Sequence, residues 1–296
     1  MDRRVFLGRA ALGAAGLTAG TLGAGRALAA DPDSLPTDSE GRAVFAQAPA
    51  SSVRLGVASY SLRNLSREVA IEAIVAIGTP LVNIKSFHIP QELTPLEIAG
   101  AVAQFRAAGL DIVGGGTISF PEDTDESMRT IFEYIKACGF PVVVAAPAPE
   151  MLPRLETFAI EYDVKIAIHN HGPEDAHFPA PSDAIALVRD MDKRMGVCVD
   201  LGHTARTGKD VIRELAIAGD RLHDIHMKDL ADLSDKASQC IVGRGQMPVA
   251  GVFRQLMAME YPGVVNLEYE IDGDNPLPGM QQSFAYMRGV LAGMAG

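Results

Sequence analysis

The stretch VKIAIHNHG, Val164 to Gly172, decides how the rest of the chain is read. Val164, Ile166 and Ile168 are bulky and fall on alternate positions. Successive side chains of a strand point to opposite faces, so these three belong against packed helices, and Ala167, His169 and His171 belong to the other face. Short apolar runs of this kind recur from Val53 onward: VRLGVAS, LVNIKSF, LDIVGGG, FPVVVAA, VKIAIHN, MGVCVDL, LHDIHMK and VVNLEYE. Helical stretches such as SREVAIEAIVAI, TPLEIAGAVAQFRAAG, DESMRTIFEYIKACG and GVFRQLMAME lie between them. Thr94, Pro95 and Glu97 predict a capping box with proline at the first helical position. Gly109 and Gly139 sit where left-handed C-caps are needed. Strands alternating with helices build βαβ units and a parallel sheet. Eight units over about 240 residues predict an α/β fold in one domain, a (β/α)8 barrel over residues 53–296. The alternative is an open doubly wound sheet; no Gly-rich phosphate fingerprint follows the first strand, which argues against a nucleotide-binding version. GGG at 114–116 lacks that spacing and is read as letting a loop pass close to the barrel mouth.

The first thirty residues are set aside. Arg3 and Arg4 precede Phe6, Leu7 and a mildly apolar Ala/Gly/Leu run that ends in ALA at 27–29. This is the pattern of a twin-arginine (Tat) signal peptide with a small-residue cleavage site, over residues 1–30. It predicts an exported, periplasmic protein. The run is too short and too Gly-rich for a good spanning helix, so no stable membrane insertion is expected after cleavage. Residues 31–52, rich in Pro, Asp and Ser, read as a linker. Removing residues 1–30 removes four Arg and one Asp and takes the net charge from −11 to −14. Such an acidic chain is a poor partner for nucleic acid, whose phosphates need clustered Lys and Arg. Cys138, Cys198 and Cys240 are too few and too scattered for a disulfide framework or a CxxC knuckle, and read as small buried hydrophobes.

Catalytic groups of a barrel sit at the C-terminal strand ends, so the informative residues are polar ones on lumen-facing positions there. The alternation applied to VKIAIHNHG places Cys198 and Asp200 inward in MGVCVDLGH, Asp224, His226 and Lys228 in LHDIHMKD, and Asn266, Glu268 and Glu270 in VVNLEYE. On the same logic LVNIKSFH contributes Asn83 and Lys85, with His88 just beyond. Each residue alone has an ordinary explanation: a hydrogen-bonded core histidine, an aspartate capping a turn, a solvated glutamate. Four consecutive strands ending in His, Asp, His and Glu change that balance. Burying so many titratable groups unpaired is expensive, and together they make a mixed N/O ligand set for one divalent ion, Mn²⁺ first, with Zn²⁺, Co²⁺ and Fe²⁺ as alternatives.

At VDLGHT, HMKD, GRG and LEYE the chain resembles the xylose isomerase-like TIM-barrel superfamily of sugar isomerases and epimerases, from about Val53 to the C-terminus. The resemblance implies a metal held by Asp200, His226 and Glu268, a substrate-contacting His203, and a loop bearing Arg244 that closes on substrate hydroxyls. It implies a small sugar or keto-sugar as substrate and allows a homodimer. The departure is at the fifth strand, where many relatives carry a Glu and this chain has His169 followed by Asn170. Either His169 is the fourth ligand, or His171 or Glu174 is and His169 stands behind it. Lys85, His88 and Glu174 are the other candidate substrate contacts, and Glu268, His171, His203, Lys228 and Glu270 the candidate catalytic groups.

The expected chemistry is proton movement next to a carbonyl through an enediolate: isomerisation or epimerisation. With His169 in place of a Glu, the paired-glutamate arrangement of the epimerases is incomplete, which brings forward a keto-sugar lyase, dehydratase or hydratase as in the inosose dehydratase branch. A non-catalytic sugar-binding protein is the third reading.

Overall fold

The computed structural model describes residues 53–295; the expected signal at 1–30 and the linker at 31–52 lie outside the described residues. Eight parallel strands close into a barrel: β1 (Arg54–Ala58), β2 (Leu81–Ile84), β3 (Asp111–Ser119), β4 (Val142–Ala146), β5 (Lys165–His169), β6 (Met195–Asp200), β7 (Leu222–Met227) and β10 (Val264–Leu267). Pairing of β1 with both β2 and β10 shuts the ring. Between β7 and β10 the chain forms a small antiparallel hairpin, β8 (Asp229–Leu230) with β9 (Gln239–Cys240). The helices are α1 (Arg67–Ile77), α2 (Pro95–Ala107), α3 (Asp125–Cys138), α4 (Leu152–Tyr162), α5 (Pro181–Val188), α6 (Leu201–Arg206), α7 (Val211–Ala218), α8 (Val249–Ala258) and α9 (Leu277–Met294). The expected eight helices become nine among the described residues because β6 runs straight into the short α6, capped by Asp200, before α7 begins. No described helix is long and apolar enough to cross a membrane.

The alternation holds. Ile166, Ile168, Val197, Val199, Ile225, Met227, Val265 and Leu267 pack into the main core between strands and helices. Each such side chain contributes about 1.5–3 kcal/mol on full burial. Ala167 and Cys198 instead join Val144 in a separate small cluster, the apolar part of the lumen. At the same height, the carboxylate of Asp224 accepts Nδ2–H bonds from Asn83 (2.9 Å) and Asn266 (2.7 Å) and the N–H of Ile225 (2.8 Å). This layer is the floor on which the site stands.

The Thr94 capping box forms, with Thr94 N–H donating to Glu97 (2.8 Å), and Gly109 and Gly139 take φ of 77° and 68°. GGG at 114–116 is a correction: these residues lie inside β3, not in a loop. A Cβ on Gly115 would overlap the Phe140 ring, and one on Gly114 would stand 2.9 Å from the Val142 carbonyl. Glycine is needed there so that β4 and Phe140 can approach. All three cysteines are free; Cys138 and Cys198 are buried and Cys240 is half-buried.

Candidate metal centre

Two residues beyond each floor residue, the strand presents its next lumen-facing side chain: His169 after Ala167, Asp200 after Cys198, His226 after Asp224, Glu268 after Asn266. All four are buried, and one ligand atom from each lies within 4.8 Å of the others. His169 Nε2 is 2.9 Å from His226 Nδ1 and 3.6 Å from Asp200 Oδ2. His226 Nδ1 is 3.9 Å from Asp200 Oδ2 and 3.2 Å from Glu268 Oε2. An ion with bonds of about 2.0–2.2 Å holds its neighbouring donors roughly 3–3.6 Å apart, so this spacing suits one divalent cation. Asp200 Oδ2 is fully buried and has no well-aligned hydrogen-bond partner; the charge beside it is the Lys228 ammonium at 3.0 Å, and His169 Nε2 stands 3.6 Å away. His169 therefore stands in the cluster with Asp200, His226 and Glu268.

The electrostatics agree. Burial, helped by His226 and His171, holds His169 well below the ordinary imidazole range, so its ring is neutral and offers a lone pair. Burial alone would raise Glu268, but His226, Lys228 and Lys85 outweigh it and hold the carboxyl well below its usual range. Asp200 is treated the same way: burial raises it, and His203 and Lys228 more than reverse that. The Cys198 sulfur also lies near His169 and His226; it packs with Val144 and Ala167, and burial pushes this thiol well above its ordinary range.

Around this cluster the predicted residues divide. Lys85 Nζ is 3.4 Å from Glu268 Oε1 and donates to Thr117 Oγ1 (3.2 Å). Lys228 Nζ is 3.0 Å from both Asp200 Oδ2 and Glu268 Oε2 and is also bonded to Glu270. Burial would lower its pKa, but those three carboxylates hold it well above the ordinary lysine range. The His171 ring centroid is 4.3 Å from that of His169, and its Nδ1 pairs with Asp175 (3.1 Å). The His203 ring lies 6.0 Å from that of His169. Three others are placed elsewhere. His88 is fully buried and its Nδ1 meets Ser59 (3.0 Å), because the segment after β2 folds back against the turn after β1. Glu174 projects from the loop after β5 and pairs with Arg206. Arg244 reaches outward to Gln282 on α9 (2.7 Å).

Two residues were missed. Asp229, the last letter of HMKD, receives four backbone N–H bonds, three of which, from Gly243, Gly245 and Met247, fasten the GRG loop. The aspartate beside a Gly-rich loop was the available signal. Arg206, three positions after His203, is buried against it; its i,i+3 spacing on a helix was legible, its burial was not.

A closed (β/α)8 barrel whose late strands converge two histidines and two carboxylates at their C-terminal ends defines a barrel protein with a candidate metal centre. The chain belongs to the xylose isomerase-like TIM barrel family, whose model matches residues 68–290. Solved structures agree in fold. A protein of Parabacteroides distasonis ATCC 8503 is 22% identical, with TM-score 0.62, over 79% of this chain and 98% of that one. D-psicose 3-epimerase of Clostridium cellulolyticum H10, solved with D-tagatose, is 14% identical (TM-score 0.66, 81% of this chain, 99% of that one). The 3-keto-D-glucoside 4-epimerase of E. coli is 17% identical (TM-score 0.66, 80% and 99%). Comparison with curated proteins gives no match.

Proposed function

We propose that the chain is a divalent-metal-dependent sugar isomerase or epimerase that moves a proton next to a carbonyl. The observation that carries this reading is the convergence of His169, Asp200, His226 and Glu268 within 4.8 Å in a family barrel whose structural neighbours include sugar epimerases. These four residues would hold the ion, Mn²⁺ by preference. When bound, it supplies Lewis-acid polarisation of a carbonyl and an adjacent hydroxyl.

The chain's own residues supply the rest. Lys85 and Lys228 present positive charge beside Glu268, where a sugar's developing oxyanion is stabilised. His171 gives its Nδ1–H to Asp175, which leaves Nε2 as the basic atom for a proton in transit. Glu270, paired with Lys228 at the half-exposed rim, is the second carboxylate in reach of substrate. Glu268, surrounded by His226, Lys228 and Lys85, serves better as a ligand than as a proton carrier.

That last point favours one alternative. A two-glutamate shuttle is incomplete here, since His169 takes one position and Glu268 is tied to three cationic or hydrogen-bonding partners. A keto-sugar lyase, dehydratase or hydratase needs only one base and one acid, for which His171 and Glu270 are the candidates, with His203 beside them as a hydrogen-bond donor. Metal-loaded protein incubated with keto-sugars and 3-keto-sugars in D₂O, followed by NMR, separates the readings. C–H exchange with an isomeric product supports the first and loss or gain of water the second. Binding with neither exchange nor turnover leaves a sugar-binding protein. Export through residues 1–30 belongs to the same proposal; replacement of Arg3 and Arg4 by Lys should retain the protein in the cytoplasm, and unchanged periplasmic recovery counts against it.

A further inference from the structure

We propose that Arg206 is a positioning residue that locks His203 in one tautomer, with its proton on Nε2, so that the ring serves the site as a fixed hydrogen-bond donor. The use of that donor on a sugar oxygen rests on the function proposed above; the locking does not.

Arg206 Nη1 lies 3.0 Å from His203 Nδ1, one helical turn apart on α6. A guanidinium only donates, and it does not deprotonate in proteins. Nδ1 must therefore present its lone pair, and a neutral imidazole then carries its single proton on Nε2. The competing contact asks for the opposite. Lys228 Nζ is 3.5 Å from His203 Nε2, and a bond there would need Nε2 as acceptor and would turn an Nδ1–H against the guanidinium. The two contacts cannot both be hydrogen bonds to a neutral ring. The shorter one prevails, because Lys228 already has Asp200, Glu268 and Glu270 as partners and a 3.5 Å separation is at the edge of bonding.

The surroundings are built for this contact. Arg206 is only 9% exposed, and its Nε has no hydrogen-bond partner. Burying a guanidinium with a donor left over is a poor arrangement for stability alone. Its other terminal nitrogen is anchored by Glu174 from the loop after β5, which explains that residue's placement away from the cluster. Gly172 sits between them with φ of 85°, and a Cβ there would stand 2.9 Å from Arg206 Nη1 and 3.3 Å from the His203 carbonyl. His203 lines a small cavity shared with Lys228, Gln239 and Glu270, and its Nε2 lies on the side of Lys228, 3.5 Å from Nζ.

The test is the ring nitrogen signals of His203 in full-length, ¹⁵N-histidine-labelled protein, chelator-treated and again with Zn²⁺ added, assigned by their loss in His203→Asn. The wild type is expected to show an unprotonated Nδ1 and a protonated Nε2. Arg206→Met is expected to shift both signals toward a tautomer mixture while the His171 signals stay in place, and Arg206→Lys, which can still donate to Nδ1, is expected to restore them. A wild-type His203 protonated on Nδ1 overturns the proposal without any variant. So does Arg206→Met with unchanged His203 signals. A locked tautomer in a protein that turns over no sugar leaves the positioning intact and removes the function.

Discussion

One carboxylate takes three backbone N–H bonds from the loop Gly243 to Met247, and its removal has a cost that can be worked from the bonds. Asp229 is 1% exposed. Its Oδ1 accepts the N–H groups of Leu230 (2.9 Å) and Met247 (2.9 Å), and its Oδ2 those of Gly243 (2.8 Å) and Gly245 (3.0 Å). Asp229→Ala strands all four donors. Leu230 and Met247 are buried, so their amides have no water to turn to; an unpaired buried donor costs about 1–3 kcal/mol, which makes the pair worth about 4 kcal/mol. Gly243 and Gly245 lie nearer solvent and recover most of their loss. Asp229→Asn keeps one carbonyl oxygen for the buried pair and sets its NH₂ against the two glycine donors, for a loss of about 2 kcal/mol on the same scale. Urea unfolding should show a lower midpoint with an unchanged slope, in the order Ala, Asn, wild type from least to most stable. An alanine variant within about 1 kcal/mol of wild type, or an asparagine variant no better than alanine, would refute the reasoning, because the donors would then have found other partners.

The remaining predictions concern the site, the core and pH. Asp200→Asn, His226→Ala and Glu268→Gln should each lose bound metal by elemental analysis; full retention in all three sinks the centre as drawn. His169→Ala should weaken metal binding more than His171→Ala, and the reverse order would exchange their roles. With two imidazoles among the donors, Mn²⁺, Zn²⁺ or Co²⁺ should raise the melting temperature more than Mg²⁺ or Ca²⁺ at equal concentration, and equal shifts would argue for an oxygen-only site. Burial pushes His223 down to about 4, with its Nε2 at 3.1 Å from the Lys193 carbonyl. The unfolded chain takes up this proton at about 6.5, so this stability is whole above that pH and is lost progressively down to about pH 4, by roughly 3 kcal/mol. His223→Gln should flatten the stability profile over that window, and an unchanged slope rules the histidine out.

The late half of the barrel was legible because period-two alternation is a local property. Once Ile166 and Ile168 are assigned to the helix side, His169 has one face left, and the same step places Asp200, His226 and Glu268. What alternation cannot supply is the path of the chain after a strand ends. His88, Glu174 and Arg244 all follow strand ends, and each was directed to the lumen by resemblance or proximity alone. The segment after β2 folds His88 back onto Ser59, Arg206 claims Glu174, and Asp229 pins the loop so that Arg244 meets Gln282. The GGG run failed for a related reason: the need for glycine came from Phe140, a neighbour twenty-five positions downstream of Gly115 that no local pattern reveals.

The histidine at the fifth strand changes the charge of the centre, and neighbouring residues fit that change. A Glu there would give the ligand set three carboxylates; His169 leaves two, Asp200 and Glu268, and the ammonium of Lys228 lies 3.0 Å from an oxygen of each. Two carboxylates shared between one lysine and one divalent ion make a less anionic pocket than three would. On the proposed function such a pocket would hold a cation through two lone-pair nitrogens as well as the two carboxylates, and would leave proton transfer to groups outside the four. On the proposed reading those groups are His171, backed by Asp175, and Glu270, paired with Lys228, while His203, backed by Arg206, donates a hydrogen bond. Each has a partner that fixes which atom faces outward. If the proposed function holds, the histidine expected from the resemblance to be a Glu is accompanied by polar groups that do not depend on that carboxylate, and the D₂O exchange should then respond to His171 and Glu270 rather than to a second ligand glutamate.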